Sequence, residues 1–283
     1  MLAILGGGKL SSYLNSFAKE CSIPITNFSR RKRIYGNSLK YKNIKQIKNL
    51  KLGSEISNCI INWSFTNPKS VKDIRKSVIG FKSISEFIKT NQDVSFLFIS
   101  STSASSGLLG NSNYGVRKRL GEEILLEINN TRKNKTRILR PGLIYGLDHC
   151  PIKSIVNLYK LGIKLKIGNS SSKFAVTSKN DLAKLLIDFS SQVWNSDLIL
   201  NGLYEKNPAD MEFIHSTCEK LISNKTINFS ITKNSKRYKL FKLIGIDIDL
   251  SLASLDRYPS LKSIEYYSDN KFNEYIQSLC FSK

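Results

Sequence analysis

A phenol and an ammonium four residues apart, Tyr114 and Lys118, stand downstream of the hydroxyl of Thr102 in a chain of 283 residues. On a helix, positions 114 and 118 share one face. A free phenol is a poor proton shuttle at neutral pH, but a cation one turn away favours the phenolate and lowers its pKa. Tyr114 could then exchange a proton with a substrate hydroxyl or carbonyl, with Lys118 as electrostatic partner and Thr102 as hydrogen-bonding anchor. The spacing alone is common in proteins of this size. A half-buried tyrosine beside a solvated lysine is the bland alternative, and the surrounding elements have to decide.

Those elements form a pattern. Phe96 to Ile99 is an apolar run suited to a strand buried on both faces of a parallel sheet. It ends in Ser100, Ser101, Thr102 and Ser103, at the strand end where open α/β sheets bind ligands. Leu120, Ile124 and Leu125 continue the segment that begins at Tyr114 with helical spacing. The amino terminus supplies Leu2 to Leu5 as a first strand, then Gly6, Gly7 and Gly8, then a helix start at Lys9 and Leu10. Glycines let the backbone approach a pyrophosphate, and the free amides of a helix start favour anions. In the register Gly6-x-Gly8-x-x-Ser11, serine stands where the dinucleotide fingerprint has a third glycine.

A second strand, Ile23 to Phe28, runs into Ser29, Arg30 and Arg31. An acidic residue near that strand end would bind a ribose 2′-hydroxyl, whereas arginine accommodates a 2′-phosphate. Between Met1 and Lys72 the only acids are Glu20 and Glu55, and neither sits there. NADP is therefore favoured over NAD, with a solvated basic loop as the alternative. Cys59 to Trp63 reads as a further buried strand that brings Asn62 to the cofactor. Val71 to Thr90 reads as a crossover helix, with Ile74, Val78, Phe81, Ile84 and Ile88 at helical spacing. Arg137 to Gly146 predicts another parallel strand, with Arg140 and Pro141 turning the chain out of the sheet.

Beyond Asp148 the alternation weakens. Ile155 to Leu161 and Met211 to Ile222 suggest helices, Lys173 to Thr177 a short strand, and Ser178 or Asn180 the cap of a helix that follows. The apolar run Leu240 to Leu250 has no clear type. Five scattered cysteines and two histidines show neither a disulfide framework nor a metal site. No apolar run is long enough to cross a membrane and the chain enters a strand at once, which predicts a cytoplasmic protein without a membrane partner. A formal charge of +22 suits a polyanionic ligand. The lysines are scattered and Lys, Asn, Ser and Ile are all abundant, as in an AT-rich genome, so a nucleic-acid partner is disfavoured.

Glycine turn, hydroxyl-rich strand end, Tyr-x-x-x-Lys helix and Arg140-Pro141-Gly142 fall in an order that resembles the extended short-chain dehydrogenase/reductase superfamily of nucleotide-sugar epimerases, dehydratases and reductases. The likeness covers about residues 1 to 185. It implies Thr102, Tyr114 and Lys118 as a catalytic triad, with Thr102 five residues before Gly107, and Gly6 and Gly8 as cofactor glycines. Arg30 or Arg31 would take the 2′-phosphate, and Phe174 to Ala183 resembles a family segment bordering the substrate. Three features depart from the pattern: Ser11, a short span from Thr102 to Tyr114, and no evident acid for the adenine. Ser103 and Ala104 stand where the sugar 4,6-dehydratases have an Asp-Glu pair, which disfavours dehydration.

These readings lead to an α/β fold, a Rossmann-like doubly wound parallel sheet with a smaller mixed C-terminal substrate region. Residues 1–148 are expected to bind NADP and residues 149–283 the substrate, with about 173–190 returning to the sheet. The expected ligand contacts come from Gly6, Gly8, Lys9, Leu10, Arg30, Arg31, Asn62 and Ser100. The expected function is hydride transfer on a sugar, nucleotide-linked, in epimerisation or net reduction. A catalytically silent NADP sensor or scaffold and an RNA-binding relative stay open, and the resemblance suggests a homodimer.

Overall fold

The computed structural model describes residues 1–29, 37–40, 43–63, 71–104, 113–131, 136–148, 150–167, 173–191, 200–222, 227–231, 265–268 and 271–282. Arg30, Arg31 and the run 240–250 lie outside them. Six strands form a parallel sheet in the spatial order β3-β2-β1-β4-β5-β6: β1 (Leu2–Leu5), β2 (Ile25–Ser29), β3 (Asn37–Lys40), β4 (Asn58–Ile61), β5 (Ser95–Ile99) and β6 (Thr136–Pro141). In order past β6 come β10 (Leu200–Glu205) and β12 (Glu265–Ser268). The order reverses at β1, so the connections leaving β1 and β4 depart to opposite sides and open a crevice at the carboxyl ends of these strands. The expected doubly wound sheet is present. Arg140 and Pro141 remain within β6, and the chain leaves the sheet only at Gly142.

Residues with apolar side chains at every position, such as Leu2 to Leu5 and Phe96 to Ile99, are buried because helices cover both faces of the sheet. The covering helices are α1 (Lys9–Glu20), α2 (Val71–Thr90) and α3 (Asn113–Glu127). Helix α2 has the bounds its periodicity predicts, with Phe81, Ile84 and Ile88 buried. Its Phe81 meets Trp63 edge to face at 4.9 Å and Phe98 at 5.6 Å between ring centres. Such pairs each contribute about 0.5–1.5 kcal/mol beyond area burial. The polar stretch before β4, in which sequence periodicity is faint, contains β3 and a 3-10 turn, Ile44–Asn49, closed by reciprocal Asn43 and Gln46 capping bonds.

Contacts divide the chain into two compact units. One comprises Met1–Pro141, Asn180–Gly202 and Leu261–Glu265, and the other Gly142–Lys179, Leu203–Ser260 and Tyr266–Lys283. The second has its own apolar cluster, built from α4 (Pro151–Lys160), α6 (Met211–Leu221) and α7 (Phe272–Phe281) around buried Ile155, Tyr159, Ile214 and Ile276. Asp210 caps α6 through the amide of Phe213 at 2.6 Å, and Tyr159 bonds His215 at 2.5 Å. Two parallel pairs complete this unit, β7 (Leu143–Tyr145) with β9 (Val176–Ser178), and β8 (Ile163–Ile167) with β11 (Ile227–Ile231). Helix α5 (Lys179–Ser191) follows β9 directly. No helix among the described residues is long and apolar enough to cross a membrane.

Candidate active site

Parallel register fixes what the strand ends present. Leu5 lies opposite Ile61, and Ile61 opposite Phe98, so Gly6, Asn62 and Ile99 come level at the carboxyl edge of the sheet. Gly6 adopts φ +126°, and a Cβ there would lie 2.0 Å from the Asn62 carbonyl oxygen. Both observations restrict the position to glycine. Gly8 differs: its backbone is extended and a Cβ would meet nothing within 4 Å among the described residues. None of the described residues demands glycine there, whereas close approach of a ligand would.

Gly8 is the N-cap of α1, with no side chain capping the first amides and no acid in the first turn. Lys9 is exposed, and the Leu10 side chain is buried, so Leu10 can meet a ligand only through its backbone. An uncapped, acid-free helix start beside an open glycine is chemically suited to a diphosphate. Ser100, just past β5, is buried, and its Oγ has no hydrogen-bond partner among the described residues. An orphaned hydroxyl at this edge suits a ligand that supplies the missing partner. The residues present therefore fit a nicotinamide dinucleotide, and Gly8, the first amides of α1, Asn62 and Ser100 are those that would hold it.

The expected catalytic residues approach the same edge from α3. Thr102 is buried in a 3-10 turn, Thr102–Ala104, immediately after β5. Gly115 sits so close to this turn that a Cβ would lie 2.4 Å from the Ser103 carbonyl oxygen, which seats the start of α3 directly on it. Tyr114, half-buried, is thereby held beside the Thr102 turn. One turn on, Lys118 is buried, its Nζ 4.9 Å from the centre of the Phe98 ring and 5.9 Å from that of Tyr114. Its ammonium donates to the Ile99 carbonyl at 2.6 Å and, more weakly, to that of Trp63 at 3.5 Å. Burial pushes its pKa down from 10.5 to about 7, with Glu122 opposing the shift and Arg117 adding to it.

Three structural supports were missed in sequence. Gly115 carries no signal beyond its place in a helix where glycine is unfavourable. Glu122 accepts two hydrogen bonds from Arg140, at 2.9 and 2.6 Å, in a buried pair that ties α3 to β6. The Asn62 amide donates to the Ser11 Oγ at 2.7 Å. Strand order, the Thr102 turn and the Tyr114 helix thus gather Gly6, Asn62, Ser100, Thr102, Tyr114 and Lys118 along one sheet edge, while Arg30 and Arg31 lie outside the described residues.

This chain has the short-chain dehydrogenase/reductase fold. Its structure is similar over nearly its whole length to that of MoeE5 in complex with UDP-glucose and NAD, at a TM-score of 0.72 and 14% identity, covering 99% of this chain and 97% of that one. It is also similar to a short-chain dehydrogenase/reductase superfamily protein from Agrobacterium tumefaciens with bound NAD, at a TM-score of 0.64 and 14% identity over 89% and 95% of the two chains. UDP-N-acetylglucosamine 4-epimerase from Bacillus cereus superposes with a TM-score of 0.62 at 16% identity over 89% and 96%. At such identities the likeness is one of fold. No protein-family model matches the sequence, and no curated protein matches it significantly.

Proposed function

We propose that this protein is a nicotinamide-dinucleotide-dependent enzyme that transfers hydride on a sugar, nucleotide-linked, in epimerisation or net reduction. The observation that carries the reading is the seating of Tyr114 against the Thr102 turn, with Lys118 reaching the ends of β4 and β5 beside the Gly6 and Asn62 edge. Solved structures of the same fold hold NAD, and one holds UDP-glucose as well, which supports both ligand classes. The cofactor supplies a hydride acceptor that can return the hydride. In the mechanism, Tyr114 gives or takes the proton at the reacting oxygen, Thr102 holds that oxygen by hydrogen bonding, and Lys118 stabilises the phenolate. The Lys118 ammonium carries three donors, and the carbonyls of Ile99 and Trp63 take two of them.

NADP is the cofactor we favour, because Arg30 and Arg31 follow β2 and no acid stands at that strand end. The region from residue 149 onward is assigned to the substrate, in a cytoplasmic enzyme. Fluorescence titration with NADPH and NADH, followed by a screen of nucleotide sugars for cofactor oxidation or epimerisation, tests the reading. Tyr114→Phe should lower turnover at least ~100-fold, the lower range for a positioned acid/base group, while dinucleotide affinity stays within a few fold. Full activity in that variant would remove Tyr114 from the mechanism. The commitment of Lys118 to the Ile99 carbonyl gives a second reading some footing, that of a silent dinucleotide sensor. Dinucleotide binding without turnover on any nucleotide sugar would favour it.

A further inference from the structure

Serine in place of the third fingerprint glycine is more than a tolerated small residue. Ser11 is fully buried on the inner face of α1, and its Oγ accepts the amide of Asn62 at 2.7 Å. Asn62 lies at the end of β4, where its amide nitrogen in the backbone donates to Leu5 at 2.9 Å and its carbonyl touches Gly6. The bond therefore crosses from the helix that starts the diphosphate bed to the strand end beside it. It is anchored from below. One turn further along α1, Asn15 donates to the Ser11 carbonyl at 2.7 Å and to Asn27 of β2 at 3.1 Å, and fully buried Asn27 donates back to Asn15 at 2.5 Å. Asn62, Ser11, Asn15 and Asn27 thus form one chain of polar contacts joining β4, α1 and β2.

A glycine at position 11 would allow the same close approach of helix and strand but would leave the Asn62 amide with no acceptor among the described residues. With Ser11 present, the half-buried Asn62 has its nitrogen committed, and its Oδ1 accepts no hydrogen bond among the described residues. That oxygen can receive a hydrogen bond, and it repels phosphate oxygens. We infer that Ser11 is a positioning residue for the dinucleotide, holding Asn62 with its Oδ1 presented to a ribose hydroxyl of the ligand. The inference rests on the functional reading above and adds a specific device to its binding site.

The test is a double-mutant cycle on dinucleotide affinity, read by fluorescence titration, with thermal melts run alongside. Ser11→Gly completes the three-glycine fingerprint, so the fingerprint alone predicts equal or tighter binding. The Ser11–Asn62 bond predicts the reverse, a loss of about 5- to 10-fold, the equivalent of one hydrogen bond. Ser11→Ala, which keeps a good helix former, should lose as much, and Asn62→Ala at least as much. Combining Ser11→Ala with Asn62→Ala should cost no more than Asn62→Ala alone. A purely structural role would lower the melting temperature and leave the affinity of the folded protein unchanged. Unaltered affinity in both Ser11 variants, or losses that multiply in the double variant, overturns the inference. If the unsubstituted chain binds neither NADPH nor NADH, the functional reading itself fails and the inference falls with it.

Discussion

The ammonium of Lys118 donates to the main-chain carbonyl of Ile99 at 2.6 Å, so α3 is fastened to the carboxyl end of β5. Burial holds this lysine near a pKa of about 7. An unfolded lysine keeps its proton to about pH 10.4. Between those values the unfolded chain binds more protons than the folded one, so this group makes stability rise with pH from about 7 to 10, and its burial penalty is fully felt below 7. Lys118→Met removes that slope. Melting curves at pH 6, 7.5 and 9 should show the wild type gaining on the variant as pH rises, and parallel profiles would contradict the depressed pKa.

Gly115 is where helix propensity and the site disagree. Alanine favours a helix over glycine by about 1 kcal/mol. Here its Cβ would lie 2.4 Å from the Ser103 carbonyl oxygen, which belongs to the backbone and cannot rotate away. Gly115→Ala should therefore push α3 off the Thr102 turn. Turnover should fall at least tenfold while dinucleotide affinity changes little, a split that steady-state kinetics and titration together can read.

Gly121 presents the same geometry against a side chain. A Cβ would lie 2.3 Å from the Phe81 ring, which is itself held by Trp63 and Phe98. Overpacking of this kind costs about 1–3 kcal/mol. Gly121→Ala should lower stability by that order in denaturant titration, and adding Phe81→Leu should recover part of the loss. A stable single variant would show that the Phe81 ring can move.

The Glu122–Arg140 pair is buried on both sides, with side-chain exposures of 2% and 8%. Removing one partner takes the counter-charge from a buried ion, a change that costs about 3–5 kcal/mol. Glu122→Leu should be destabilising by that order. Glu122→Leu combined with Arg140→Met should recover most of it, because the charge and its countercharge leave together. Equal stability of the single and double variants would mean that Arg140 finds solvent once Glu122 is gone.

At Gly6 two constraints coincide, a left-handed φ of +126° and a carbonyl oxygen 2.0 Å from where a Cβ would stand. Gly6→Ala should abolish dinucleotide binding, whereas Gly8→Ala, which meets nothing among the described residues, should fold normally and weaken binding only through the ligand. Circular dichroism and titration of the two variants separate these effects. Normal binding by Gly8→Ala would place the diphosphate elsewhere.

Much of the architecture was written in local pattern. An all-apolar run such as Phe96 to Ile99 suits a central strand, the 20-residue periodicity of α2 suits a covering helix, and glycines after the first strand suit a tight turn at the sheet edge. Those features are local, since burial on two faces, one face or none is recorded residue by residue. The sequence also placed a hydroxyl, a phenol and an ammonium in order along the chain. It could not show that they gather, because that depends on parallel register bringing Gly6, Asn62 and Ile99 level and on Gly115 letting α3 settle on the Thr102 turn. Nor could it show that Ser11 reaches Asn62, 51 positions away, or that Glu122 reaches Arg140. Single side chains announce their polarity in sequence, but the partner that satisfies a buried donor or charge is chosen by distance in space, and only the folded chain sets that distance.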